Sequence, residues 1–318
     1  LLKKQFKALL IDSFEQEFIE AIESRGIAVN YRPGITREAA FSEIKETQIL
    51  ILNSGLHIDR EFLNHATELK WIGRAGVGVD HIDMQAVFSS GIQIRVTEGA
   101  NRDAVGEMTL GLLIALLRNI PKSNQEVKTW QWKREENRGE ELTHKTVGII
   151  GFGNTGSAFA KKLRGFEVTV LAYDKYKKGF SNDNVQEVPL EVLFAEADIC
   201  SFHIPLNSET RHLGDASFFE KFTKPVWILN LSRGEIIDTK ALLSALDKGK
   251  VKGAALDVLE NERFAQLSTD WKEIYSDLFS RNNILLSPHI GGWTFTSRQN
   301  IYNDLLHHLD EAMKTWQQ

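Results

Sequence analysis

The sequence predicts an α/β protein of two doubly wound parallel-sheet domains, one inserted into the other. Three observations carry this. Strand-like and helix-like segments alternate along nearly all of the 318 residues. A glycine fingerprint, G-x-G-x-x-G at Gly151, Gly153 and Gly156, falls in mid-chain with a whole alternating unit before it. One continuous helical pattern follows the last strand.

In chain order, short apolar and β-branched runs at 6–11, 27–31, 49–53, 70–74 and 93–97 read as strands, with helical stretches such as 14–25 and 36–46 between them. That alternation makes a parallel sheet with helices on both faces. A longer helix is expected over 104–119, apolar at nearly every core position and ended by Pro121. Residues 122–145 are largely polar, include Trp130 and Trp132, and read as an irregular arm suited to an interface.

The alternation resumes with strands near 146–150, 168–173, 199–203, 226–230, 254–257 and 283–287. In the first turn of this second sheet Gly151 permits a tight bend, Gly153 lets backbone approach a pyrophosphate, and Gly156 lets helix pack on strand. The helix that starts there offers free N–H groups and a positive dipole end to phosphates. The next strand closes on Asp174, whose carboxylate suits a ribose 2′-OH and repels a 2′-phosphate. A Rossmann domain and NAD are therefore expected. The helical pattern at 296–316 could return to the first sheet. The first domain is then residues 1–100 with 289–318, and the nucleotide domain is 101–288, with 101–145 as crossover helix and arm. Ligands would bind in a cleft at the carboxyl ends of the strands.

Composition excludes several classes. Apolar residues make up 42% and charged residues 25%, ordinary for a globular chain. A net charge of −5 without a long basic run argues against nucleic acid. No apolar run of about 20 residues is present, and no signal-peptide pattern opens the chain, so neither a membrane span nor export is expected. The one cysteine, Cys200, lies in an apolar run and reads as a small buried hydrophobe in a reducing compartment, the cytoplasm. No metal is expected.

Polar residues gather just past the strands of the second sheet: Asp174; His203 and Pro205; Ser232, Arg233 and Gly234; Asp257 and Glu262; Pro288, His289, Gly291 and Gly292. Loops are polar in general, so no single one of these decides anything. Three of them fit one chemistry. Hydride exchange between NAD and a 2-hydroxy or 2-oxo acid needs a proton acceptor for the hydroxyl and a cation for the carboxylate. His289 offers a group that titrates near neutrality. Glu262 would favour its imidazolium and orient the ring. Arg233 offers a fork of donors that matches a carboxylate. The bland alternatives are a helix-capping histidine, a turn arginine and a solvated glutamate.

Several ordered segments go further: LKWIGRAGVGVDHID, ANRDAVGEMTLGLLIALLR, KTVGIIGFGNTG, ICSFHIPLNSETRHL, ILNLSRGEIID, GAALDVLENE and LLSPHIGGWT. Over about residues 40–300 the chain resembles the D-isomer-specific 2-hydroxyacid dehydrogenases, and phosphoglycerate-dehydrogenase-like members most. The resemblance implies a flavodoxin-like substrate domain. It also implies Arg233 as carboxylate clamp, Glu262 as partner of the histidine, and His289 as acid/base. Asn154 and Thr155 would lie along the pyrophosphate with the three glycines, and Asp174 on the adenosine ribose. His203, Pro205 and Thr210 would line the adenine side. Leu231, Ser232, Arg233, Asp257, His289, Gly291 and Gly292 would flank the nicotinamide. From the first domain, Asn53, Arg74, Val77 and Gly78 would meet the substrate. A homodimer through the 100–145 region is expected by the same resemblance.

Two departures bear on the substrate. Phosphoglycerate dehydrogenases usually carry an arginine where this chain has Asn53, and the family commonly has Glu-Pro where it reads Glu262-Arg263. The chain also ends near residue 318, so the regulatory C-terminal domains of some phosphoglycerate dehydrogenases, and serine feedback through them, are not expected. The alternatives to 3-phosphoglycerate oxidation are a hydroxypyruvate or glyoxylate reductase and, from another class, an NAD(H)-sensing corepressor-like binding protein.

Overall fold

The computed structural model describes residues 5–316. They form two compact units, one of residues up to Asn101 together with those from Phe295 onward, the other Arg102–Thr294.

The first unit runs β1 (Lys7–Leu10), α1 (Gln16–Glu23), β2 (Ala28–Tyr31), α2 (Arg37–Glu43), β3 (Ile49–Leu52), α3 (Arg60–His65), β4 (Trp71–Arg74), α4 (Met84–Ser89) and β5 (Gln93–Val96). Every strand pair is parallel, in the order β2-β1-β3-β4-β5, the flavodoxin-like arrangement. Because successive side chains point to opposite faces, one strand feeds two cores. Leu9 and Ile11 pack with Phe62 and Val87 on the α2–α4 face. Ala8 and Leu10 pack with Phe18, Ile22 and Trp71 on the other. Helix α12 (Phe295–Trp316) belongs to this second core, with Leu305 and Leu309 buried in it and Tyr302 stacked on Phe18 at 4.2 Å. Each fully buried Leu or Ile contributes about 1.5–3 kcal/mol.

The second unit opens with α5 (Arg102–Leu117) and α6 (Ile120–Lys128), which meet at 61°. The expectation for this stretch needs correction. Pro121 does not simply end a helix; it sits in the first turn of the next one, where its missing N–H costs nothing. Part of the expected irregular arm is thus helical. The bend falls at Asn119, whose φ of 52° is left-handed. Among the described residues no single helix is long and apolar enough to cross a membrane.

The sheet follows as β6 (Thr146–Ile150), α7 (Asn154–Lys162), β7 (Thr169–Tyr173), β8 (Gln186–Glu187), α8 (Leu190–Glu196), β9 (Ile199–Phe202), α9 (Ala216–Glu220), β10 (Val226–Asn230), α10 (Thr239–Asp247), β11 (Val251–Leu256), α11 (Thr269–Ser280) and β12 (Ile284–Leu286). Its strands, all parallel, lie in the order β12-β11-β10-β9-β6-β7-β8. The order reverses between β6 and β9, which is the Rossmann switch point. Helices α5 and α7 cover one face through Leu113, Leu117 and Phe159. Helices α8–α11 cover the other through Leu193, Phe218, Leu242 and Tyr275. Cys200, in β9, is wholly buried, and burial pushes its thiol pKa up.

Residues 289–294 also correct an expected boundary. They belong to the second unit, and the return to the first begins at Phe295. The cause is Asp257, at the end of β11. Its carbonyl accepts the His289 N–H at 2.7 Å, and its carboxylate accepts those of Ile290 and Gly291 at 2.9 and 2.7 Å.

Candidate active site

The turn after β6 is built as a phosphate cradle. Gly151 has φ +93°, and a Cβ there would drive into the carbonyl of His203 just past β9, so only glycine serves at the switch point. A Cβ on Gly156 would strike the Gly151 carbonyl. Gly153, by contrast, faces open space. Among the described residues no side chain caps the N-terminus of α7, so the orphan N–H groups of its first turn are left for an anion. These features fit a dinucleotide pyrophosphate.

Asp174 closes β7 as expected. Its Oδ2 accepts the Phe152 N–H at 2.8 Å, and its Oδ1 accepts those of Tyr176 and Lys177 at 2.9 and 2.8 Å. Partial burial works to raise its pKa, but these backbone donors and the Lys177 charge outweigh that and hold it below the usual range. The group stays an anion.

His203 sits deeper than a cofactor-lining residue would. It is 7% exposed, with Nε2 2.9 Å from Ser201 Oγ and Nδ1 3.3 Å from Thr155 Oγ1. It therefore reaches the glycine turn through Thr155, and burial lowers its pKa to about 3. The exposed Pro205 and the half-buried Thr210 share one turn, closed by the Thr210 hydroxyl donating to the Pro205 carbonyl at 2.6 Å.

Arg233 follows β10, where the Asn230 side chain holds the turn by donating to the Arg233 carbonyl at 2.9 Å and accepting the Ser232 N–H at 3.0 Å. Leu231 is buried beside it. Glu262 lies in the loop after β11, and its Oε2 meets His289 Nδ1 at 2.9 Å, both side chains about half exposed. Burial alone would raise the Glu262 pKa. The hydrogen bond and charge of His289, the Leu259 N–H and the charge of Arg233 reverse that and lower it. Arg233, Glu262 and His289 thus come together at the carboxyl ends of one sheet, near enough to feel one another.

His289 itself has φ 57°, a left-handed conformation that costs a non-glycine residue about 1–2 kcal/mol. The bonds from Asp257 offset that cost and aim the ring. Ser287 Oγ completes the set by donating to Asp257 Oδ1 at 2.5 Å. Asp257 is 1% exposed, so it is an anchor for the His289–Gly292 turn. A cavity of 570 Å³ opens beside the pair, with Asp257, Leu259, Phe264 and Ser287 among its lining residues along with Glu262 and His289.

In the first unit, Asn53 lies just past β3 and Arg74 ends the neighbouring β4, and the loop of Val77 and Gly78 follows, with Val77 exposed. Two residues there were not singled out from sequence. Asp12, just past β1, accepts the Asn53 N–H at 2.6 Å. His81 is held below its ordinary pKa by burial and then by the Arg74 charge. Asp12 could have been found, since it follows its strand as Asp174 follows β7.

Residues 110–291 match the family model described as D-isomer specific 2-hydroxyacid dehydrogenase, NAD binding domain. The chain belongs to that family. The D-isomer specific 2-hydroxyacid dehydrogenases similar to it include the D-3-phosphoglycerate dehydrogenase of Archaeoglobus fulgidus, 34% identical over 297 residues, which are 93% of this chain and 55% of that protein. The hydroxypyruvate reductase of Thermotoga maritima is 36% identical over 263 residues, 83% of this chain and 84% of that one. The solved D-lactate dehydrogenase of Aquifex aeolicus, complexed with NAD and lactic acid, superposes with a TM-score of 0.84 at 25% identity, covering 96% of each chain. The chain spans about half the length of the phosphoglycerate dehydrogenases it matches. The cofactor of the matched domain is NAD.

Proposed function

We propose that this chain carries an NAD-dependent D-2-hydroxyacid dehydrogenase activity, with 3-phosphoglycerate and 3-phosphohydroxypyruvate as its substrate pair. That would place it in serine biosynthesis. The observation that carries the reading is the 2.9 Å contact between His289 Nδ1 and Glu262 Oε2, with the Arg233 charge beside it, on the rim that also bears the uncapped start of α7.

When bound, NAD(H) supplies the acceptor or donor of the hydride. Gly151, Gly153, Asn154, Thr155 and Gly156 would hold its pyrophosphate, and Asp174 its adenosine ribose. Leu231, Ser232, Gly291 and Gly292 would flank the nicotinamide, and Pro205 and Thr210 the adenine. Arg233 pairs with the substrate carboxylate through its planar fork. An ionised Glu262 accepts from Nδ1–H of His289, which leaves Nε2 to take the hydroxyl proton in oxidation and return it in reduction. The resemblance alone assigns Asn53, Arg74, Val77 and Gly78 to substrate.

The test follows NADH absorbance with 3-phosphohydroxypyruvate, hydroxypyruvate and glyoxylate side by side. Turnover with the highest kcat/KM on the phosphorylated acid is expected, and no turnover on any 2-oxo acid overturns the reading. His289→Asn should lower kcat by about 10²–10⁴-fold with NADH affinity unchanged. A second reading, hydroxypyruvate or glyoxylate reductase, is favoured by Asn53 and by the Thermotoga maritima relative, matched over most of both chains. The same panel decides it.

We also infer a homodimer through the 101–145 region. Trp130 and Trp132 are 98% and 79% exposed there, which suits side chains that a second copy covers. The single, reduced Cys200 supports a cytoplasmic setting.

A further inference from the structure

The loop that carries Glu262 is fastened by side chains that touch neither Glu262 nor His289. Tyr275, on α11, is 2% exposed, and its hydroxyl grips the residue just before Glu262 from both sides. It accepts the Asn261 N–H at 2.8 Å and donates to the Asn261 carbonyl at 3.2 Å. One residue earlier, Glu260 turns inward. Its Oε1 meets His212 Nε2 at 2.6 Å, and its Oε2 accepts the Thr239 N–H and hydroxyl at 3.1 and 2.8 Å. His212 in turn donates its own N–H to the Glu235 carbonyl at 2.7 Å, two residues past Arg233. The Leu259 carbonyl packs directly on Gly234. At residue 263 the chain has arginine, with φ −85° and ψ 69°, so no proline ring fixes the backbone after Glu262.

We propose that Tyr275 and Glu260 are positioning residues for the Glu262–His289 pair, holding by side-chain bonds an exposed loop whose own backbone reaches the Glu262 carboxylate only through the long 3.4 Å bond from the Leu259 N–H. The reason is geometric. Glu262 Oε2 must stay within hydrogen-bond reach of Nδ1 from a loop that is exposed over residues 262–266. A displacement of about 1 Å is enough to cost a reaction two orders of magnitude. Pinning the peptide at 261 and the side chain at 260 leaves only the Glu262 side-chain torsions to set. Burial and the neighbouring glutamates push the Tyr275 pKa up to about 12, so the hydroxyl keeps the proton it donates.

This inference rests on the dehydrogenase reading for its kinetic consequence, but its first test needs no turnover. Two-bond ¹H–¹⁵N spectra of the histidine rings in the whole protein, with His289 assigned through His289→Asn, report the Nδ1 bond to Glu262. Tyr275→Phe keeps the core ring and removes only the hydroxyl; Glu260→Gln leaves the core untouched. Each should move the His289 Nδ1 shift toward the position it takes in Glu262→Gln. Shifts unchanged from the parent protein in both variants overturn the proposal. If Tyr275→Phe does not fold, Glu260→Gln decides alone. In the assay, each should lower kcat about tenfold or more with KM within twofold, and have under a twofold effect in a Glu262→Gln background. Equal losses in both backgrounds, the mark of a merely structural role, also overturn it.

Discussion

At His203 a ring that titrates near neutrality in water lies in the core beside the glycine turn, with a pKa lowered to about 3 by burial. Its folded pKa is below its unfolded one, so between about pH 6.5 and 3 the unfolded chain binds a proton that the folded chain refuses. Stability from this group is therefore complete above that window and falls as pH drops through it, by an amount on the order of a few kcal/mol. His203→Gln cannot titrate. Urea midpoints taken from pH 7 to 4.5 should fall more steeply for the parent protein than for the variant, and parallel slopes would count against the assignment. Glu262 is set the opposite way: its lowered pKa keeps it an anion down through the ordinary carboxylate range, where an acceptor for Nδ1–H is needed.

At the scale of elements, the β6–α7 turn tolerates little change. Gly151→Ala combines a left-handed φ with a Cβ against the His203 carbonyl. It should destabilise the fold by about 1–3 kcal/mol and weaken NADH binding at least tenfold, measured by urea denaturation and by NADH fluorescence titration. A variant that binds NADH normally would mean that the turn is not the cradle. This turn was legible from sequence because three glycines at fixed spacing between strand and helix have a local cause. Arg233 and His289 stand three residues past β10 and β12, but Glu262 lies deeper in its loop, and it was the family resemblance that joined the three. Helix α6 was not legible, because every one of its residues is at least partly exposed and no apolar period marks it. Strand β8 is two polar residues at a sheet edge, too short for alternation to register. Tyr275 and the anchoring role of Asp257 depend on bonds to residues 14 and 33 positions away, which no local pattern reports.

At the scale of the whole molecule, the proposed homodimer has an optical signature. Trp130 and Trp132 are the most exposed of the seven tryptophans, whereas Trp71 is wholly buried. If a second copy covers the arm, tryptophan emission should shift to the blue with rising protein concentration, in step with the mass from sedimentation. Replacing both by serine should abolish the shift and leave a monomer. A parent protein that stays monomeric at every concentration removes the dimer from the account.

Asp257 accepts four hydrogen bonds from one turn through its carbonyl and both carboxylate oxygens, yet it is closed to solvent. A screen that scores only surviving activity would therefore rank it with Arg233, Glu262 and His289, although its part is to hold the turn that carries His289. Activity alone would misname it. What separates the anchor from its neighbours is the backbone: a change of the Asp257 side chain unties Ser287, Ile290 and Gly291 from its carboxylate, whereas a change at His289 leaves those three bonds in place.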